Sequence, residues 1–242
     1  MGFTKPGFTL IKRAIAGGLL SAAMVNAISS ERKEQEVRMY VEINLEQLIQ
    51  EQEERIGIQY PAQRPVIHYH LPADKSGNFG LYDRKTNEIF LQNDRYELPD
   101  WDVETVYDTI NHELAHYYLD KLSEKRTNTN WPEYNDRTML EKLGIKLISE
   151  GTATYIERKM NGKEDTFTDA KWPKALGGFF SSWELIPKDE IVYSGGFHLV
   201  KPIIDRYGEK GIEYLLFNPP KGQEMFNLPL YQQRILEELS RP

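Results

Sequence analysis

Apolar positions along this chain change their period several times, and each change predicts a new element. From Val37 to Ile56 they recur as Val37, Tyr40, Val41, Leu45, Leu48 and Ile49, the spacing of one helical face, and Gly57 supplies a stop. The stretch "RPVIHYHL", Arg64 to Leu71, alternates around Val66, His68 and His70 and predicts a strand. "PADKSGNFG" has the composition of a loop, and "GLYDRKTNEIFLQND", Gly80 to Asp94, predicts a hairpin turning at "DRKTN". Helical periodicity then takes over. Val103, Val106, Tyr107, Ile110, Leu114, Tyr117 and Tyr118 mark a helix with Asp100 or Asp102 as its N-cap. A polar loop, Lys125 to Asp136, precedes a long helix from about Arg137 to Met160, stopped at Asn161-Gly162. The stretch from Thr166 to Tyr193 is irregular and aromatic-rich. "SGGFHLVKPIIDRYGEKGIEYLL" predicts a helix closed by Gly208 and a short one after it, with Pro202 kinking the first or marking its start. A last helix runs from about Pro229 to Leu239. Strands come early and helices follow, which predicts the α+β class: a small antiparallel or mixed sheet, then a mainly helical part, in one domain over residues 28–242.

The first 27 residues stand apart. Lys5, Lys12 and Arg13 precede an uncharged, mostly apolar run from Ala14 to Ser30, with "VNA" as a cleavage site after Ala27. This is the layout of a signal peptide; an uncleaved N-terminal membrane anchor is the second choice, because the run is short for a span. Either predicts a secreted, cell-envelope or membrane-attached protein. Cleavage would remove three basic residues and no acid, taking the charge from 30 − 37 = −7 to 27 − 37 = −10.

Charge and composition narrow the chemistry. A net charge of −7 argues against nucleic acid as a partner. With no cysteine in 242 residues, disulfides, thiolate ligands and a cysteine nucleophile are excluded. A metal site must draw on Asp, Glu and five histidines: His68, His70, His112, His116 and His198. His68 and His70 share one face of a short strand, a pattern more often structural than metal-binding.

Two of the five lie in "TINHELAHYYLD". His112 and His116, four apart, project from one helix face and can offer two imidazole nitrogens to one zinc ion. Glu113 lies about 100° round the helix from His112, beside such an ion and not on it, where a carboxylate can take a proton from water that the ion acidifies. A catalytic zinc site needs a third protein ligand. "LISEGTATYIERK" supplies Glu150 on the following helix, with small Gly151 and Ala153 allowing close helix approach, and the intervening loop is long enough to turn the chain back antiparallel.

"HELAH" followed by "SEGTATY" resembles the gluzincins, the thermolysin-like zinc metallopeptidases with a peptidase MA-like domain. The resemblance spans about Gly80 to Leu216 and implies a zincin-like fold, with His112, His116 and Glu150 as zinc ligands and Glu113 as general base. It implies Tyr193, in "VYSGGF", as donor to the oxyanion of the tetrahedral intermediate, with His198 as the alternative. "GLYDRKTNEIFLQND" is similar to the edge strand preceding the active-site helix, and the strand Asn87 to Gln92 is expected to pair with an extended peptide or protein substrate. Many members carry an Asp four residues after the glutamate ligand to orient a zinc histidine. Here Thr154 occupies that position, so Thr154, a backbone carbonyl or another acid must serve. The expected function is zinc-dependent peptide hydrolysis; the alternative is a catalytically inactive metallopeptidase-like module that binds a partner at the cell surface through Thr166 to Tyr193. A third reading takes the motif as chance in an anchored structural protein. Cobalt or manganese would also suit two histidines and a glutamate.

Overall fold

α1 (Ser30–Gln52) ends in a wider π-helical turn, Glu53–Gly57, and Gly57 at φ +75° breaks it as the sequence predicts. The computed structural model describes residues 30–69, 80–91, 103–127, 138–163 and 190–241. The N-terminal export segment, His70, the N-cap at Asp100 or Asp102, and most of the loops expected at 125–136 and 166–193 lie outside the described residues. Among the described residues no helix is long and apolar enough to cross a membrane. Over the described residues the architecture is α+β: helices dominate, and three short strands form one mixed sheet.

β2 (Gly80–Asp83) and β3 (Glu88–Leu91) form the predicted hairpin, pairing Leu81 with Phe90 and Tyr82 with Ile89. Asn87 closes the turn at φ +58°, a left-handed conformation that asparagine tolerates better than most residues. β1 (Val66–His68) is shorter than the predicted strand and runs parallel to β3. Its His68 ring stacks on Phe90 at 4.7 Å and lies 3.2 Å from Glu88, a use internal to the sheet. The strand order β1-β3-β2 puts β3 in the middle. The expected pairing of substrate with Asn87 to Gln92 is therefore corrected: both sides of β3 already pair with neighbours, and the edge beside the helices is β2.

α2 (Val103–Thr127) carries the histidine motif through the core. Ile110, Leu114, Ala115, Tyr117, Tyr118 and Leu119 are all buried, which is why it reads as apolar on more than one face. α3 (Met139–Asn161) starts at a capping box. The Glu141 amide donates to the Thr138 hydroxyl at 3.3 Å, and the Glu141 carboxylate accepts from the Thr138 amide at 2.8 Å. It stops at Gly162, φ +72°, whose N–H donates to the Arg158 carbonyl.

α4 (Gly196–Phe217) follows a π-helical turn, Glu190–Gly195, and is interrupted by the non-helical Gly208, where the sequence predicts closure. Pro202 sits inside it. A proline leaves the carbonyl four residues back without its helical donor. Here that carbonyl belongs to His198, and Gln232 Nε2 donates to it at 2.9 Å and to Leu199 O at 3.1 Å. Gln232 lies on α5 (Leu228–Ser240), which buries Leu228, Tyr231 and Ile235.

α3 and α4 meet backbone to backbone. A methyl group on Gly151 would lie 2.7 Å from the Gly196 Cα, and one on Gly196 would lie 2.5 Å from Leu147 O. Gly151, expected to let α2 and α3 approach, instead makes room for Gly196 of α4. Because backbone cannot swing aside, Gly151→Ala is expected to cost about 1–3 kcal/mol, the range for overpacked cores, read as a lowered midpoint in urea unfolding.

Candidate metal centre

Hydrogen bonds across α2 and α3 run in opposite chain order. His112 reaches Glu157, whereas His116, one turn further along α2, reaches Ser149, more than two turns back along α3. The helices are antiparallel, as the loop length allows. Between these outer contacts three ligand atoms face one another. His112 Nε2 and Glu150 Oε2 are 3.3 Å apart, His116 Nε2 and Glu150 Oε2 3.3 Å, and the two Nε2 atoms 3.2 Å.

That triangle has the size a cation needs. A tetrahedral ion about 2.0–2.1 Å from each ligand separates neighbouring ligand atoms by about 3.3 Å. The outer hydrogen bonds also select the ring state. Glu157 Oε2 accepts from His112 Nδ1 at 3.0 Å, and Ser149 Oγ lies 3.2 Å from His116 Nδ1. Glu157 can only accept, so His112 carries a hydrogen on Nδ1; with Ser149 accepting likewise from His116, both Nε2 atoms can turn a lone pair to a cation once no proton is held there. Two imidazole nitrogens and a carboxylate oxygen converging at these distances are a set that a cation satisfies. His112, His116 and Glu150 can thus hold a metal ion, and they are the one such group of three found among the described residues. Side-chain exposure of 11% for His112 and 17% for His116 and Glu150 leaves the cluster reachable from solvent.

Without a cation, a proton does part of the same work. Burial opposes charge on His112, but hydrogen bonds to Glu150 and Glu157 and the charge of Glu113 outweigh it, raising its pKa to about 10. For Glu150, burial acts upward, yet the two histidines hold its carboxyl well below the ordinary carboxylate range. Metal entry must displace that proton, so loading releases protons to solvent.

The residue backing His112 was not singled out by sequence reasoning. Thr154 is buried, its hydroxyl has no hydrogen-bond partner among the described residues, and it does not serve. Glu157 does, as the other acid that the sequence allows. Its signal was spacing: 150 and 157 are two turns apart on one face of α3. Because the helices are antiparallel, a partner for His112 must lie C-terminal to Glu150. Glu157→Ala is expected to weaken metal affinity about 10–100-fold, measured by chelator competition, with the fold retained.

Glu113 is buried beside the triangle. Burial raises its pKa, opposed by the charges of His116 and His112, and a backbone hydrogen bond from Tyr82 also steadies the ionised form. Tyr193, in the turn before α4, has its ring 5.6 Å from that of His112; the contact between Gly151 and Gly196 brings that turn against α3. His198 lies two residues into α4, half-buried, its carbonyl held by Gln232.

α2 is itself anchored from behind. Gln52, fully buried on α1, donates to Asn111 Oδ1 at 2.7 Å, and Asn111 Nδ2 donates to Tyr107 O at 2.7 Å. Tyr60 Oη lies 2.5 Å from Gln52 Oε1 and 3.0 Å from Leu114 O. Satisfied polar groups at such depth fix the helix rotation, because any other would strand them. No protein-family model, curated protein or solved structure matches the chain.

Proposed function

We propose that the chain is a zinc-dependent metallopeptidase of the gluzincin type, with a zincin-like fold. The observation that carries this reading is the triangle of His112 Nε2, His116 Nε2 and Glu150 Oε2, with edges of 3.2–3.3 Å, beside the buried Glu113. His112, His116 and Glu150 would hold the cation; Glu157 and Ser149 would orient the two rings. When bound, zinc supplies a positive charge that acidifies water and polarises a carbonyl oxygen.

The chain's own groups do the rest. The Glu113 carboxylate takes the proton of the attacking water and returns it to the nitrogen of the leaving amine, the two halves of general acid–base catalysis. Its burial suits that exchange, since a raised carboxyl pKa lies nearer the operating pH. The Tyr193 hydroxyl is the donor for the developing oxyanion. An extended peptide lies along β2, the edge strand beside α2, where main-chain pairing gives affinity without side-chain recognition. Export, by a cleaved signal or a retained N-terminal anchor, belongs to the same proposal and rests on residues 1–27.

Metal analysis of the purified chain beside a peptide-library cleavage screen, with and without chelator, tests the reading. The expected result is bound zinc and chelator-sensitive cleavage. Bound zinc with no cleavage of any peptide would instead favour the catalytically inactive, partner-binding module. A chain that takes up no metal and keeps its stability in chelator would remove both.

A further inference from the structure

Tyr82 meets α2 at three successive levels. Its backbone N–H donates to the Glu113 carboxylate. Its ring meets Tyr117 edge-on, with centroids 5.8 Å apart and planes at 79°. Its hydroxyl donates to Asp120 Oδ2 at 2.8 Å. Residues 113, 117 and 120 follow the spacing i, i+4, i+7 and form one stripe, distinct from the one carrying His112 and His116.

Gly80 extends the same contact by one step. A methyl group there would lie 2.6 Å from Thr109 Cγ2 and 2.9 Å from both Cγ and Oε1 of Glu113. The edge strand therefore packs closely on α2 here, and a side chain at 80 would push Thr109 and Glu113 aside.

Asp120 is a poor choice for stability alone. It is 3% exposed, its second oxygen, Oδ1, has no hydrogen-bond partner among the described residues, and the charges of Arg84 and Lys121 partly offset its burial. Burying an acid costs free energy, so the tyrosine hydroxyl that meets it is a contact the fold specifies. The Tyr82 hydroxyl is also 3.1 Å from Asn87 Oδ1, so the hairpin turn is held at the same point.

We propose that Tyr82 and Asp120 are positioning residues: the hydroxyl–carboxylate contact locks the sheet edge onto α2, and the locked strand holds the Glu113 carboxylate at the place where it exchanges protons. The role in turnover rests on the metallopeptidase reading; the restraint on Glu113 does not.

Two measurements on the zinc-loaded full chain separate these. Residue-resolved hydrogen exchange at the residue-82 amide reports its bond to Glu113 directly, and kcat beside zinc affinity reports the consequence. Tyr82→Phe and Asp120→Leu are expected to speed exchange of that amide about 10-fold, the worth of one hydrogen bond. They are expected to lower kcat about 10–100-fold, the effect of a small misplacement, with zinc affinity unchanged. Asp120→Asn keeps an acceptor for the tyrosine and should restore both, which a loss of general stability would not predict. Wild-type exchange at residue 82 in Tyr82→Phe overturns the proposal, and so does Asp120→Asn behaving like Asp120→Leu. Should Asp120→Leu not fold, Tyr82→Phe against Asp120→Asn makes the same distinction. If the wild-type chain cleaves no peptide, the hydrolase reading falls, and the exchange result alone decides whether the strand is locked.

Discussion

Glu113→Gln is expected to lower peptide hydrolysis about 10²–10⁴-fold, the range for removing a general base, while zinc content stays at the wild-type level. The two halves of that result separate because Glu113 stands outside the ligand triangle formed by His112, His116 and Glu150. Glutamine keeps the volume beside Gly80, where a methyl group would already lie 2.9 Å from the Glu113 carboxylate. It can still accept from the Tyr82 amide through its carbonyl oxygen. What it cannot do is take a proton from water. Burial raises the Glu113 pKa, so the ionised form is disfavoured in the folded chain, and replacing it by a neutral amide should leave stability equal or higher. Cleavage assays, metal analysis and thermal unfolding on one preparation check all three outcomes. Activity retained in this variant would reject the mechanism.

Glu150→Ala is expected to weaken zinc binding by more than about 100-fold, exceeding the loss for Glu157→Ala, because a direct ligand outranks one that orients a ligand. Two histidine nitrogens 3.2 Å apart would remain, with no negative charge to complete the set. The metal-free chain should change as well. His112 would lose one of the three carboxylates that raise its pKa, so that pKa should fall, an effect visible by NMR titration of the ring. The ranking of the two variants in chelator competition is the decisive measurement. Equal zinc affinity in Glu150→Ala and wild type would show that the three groups do not share an ion.

Much of this arrangement was legible in the residues. The spacing of His112 and His116 fixes a shared helix face; Gly151 does mark a close crossing, but with α4 and not with α2, the helix expected there. Gly57, Gly162 and Gly208 mark the breaks predicted for them, each at positive φ. What stayed hidden depends on how elements meet. The hairpin signal pairs β2 with β3 but says nothing about which side β1 will take; its parallel pairing with β3 follows from tertiary packing, and that turned the expected edge into the centre. Thr154 and Glu157 both fall on the Glu150 side of α3, and choosing between them needs the direction and rotation of α2. Gly196 became meaningful once its backbone was found against Gly151.

Pro202 has a practical consequence for anyone trimming the gene. The carbonyl at 198 depends on an amide borrowed from Gln232, which also reaches the carbonyl at 199, so α5 is a working part of the wall it leans on. A fragment ended ahead of residue 232 would bare the His198 oxygen and the apolar floor beneath Ile235, and should be recovered as a loosened, dye-binding species.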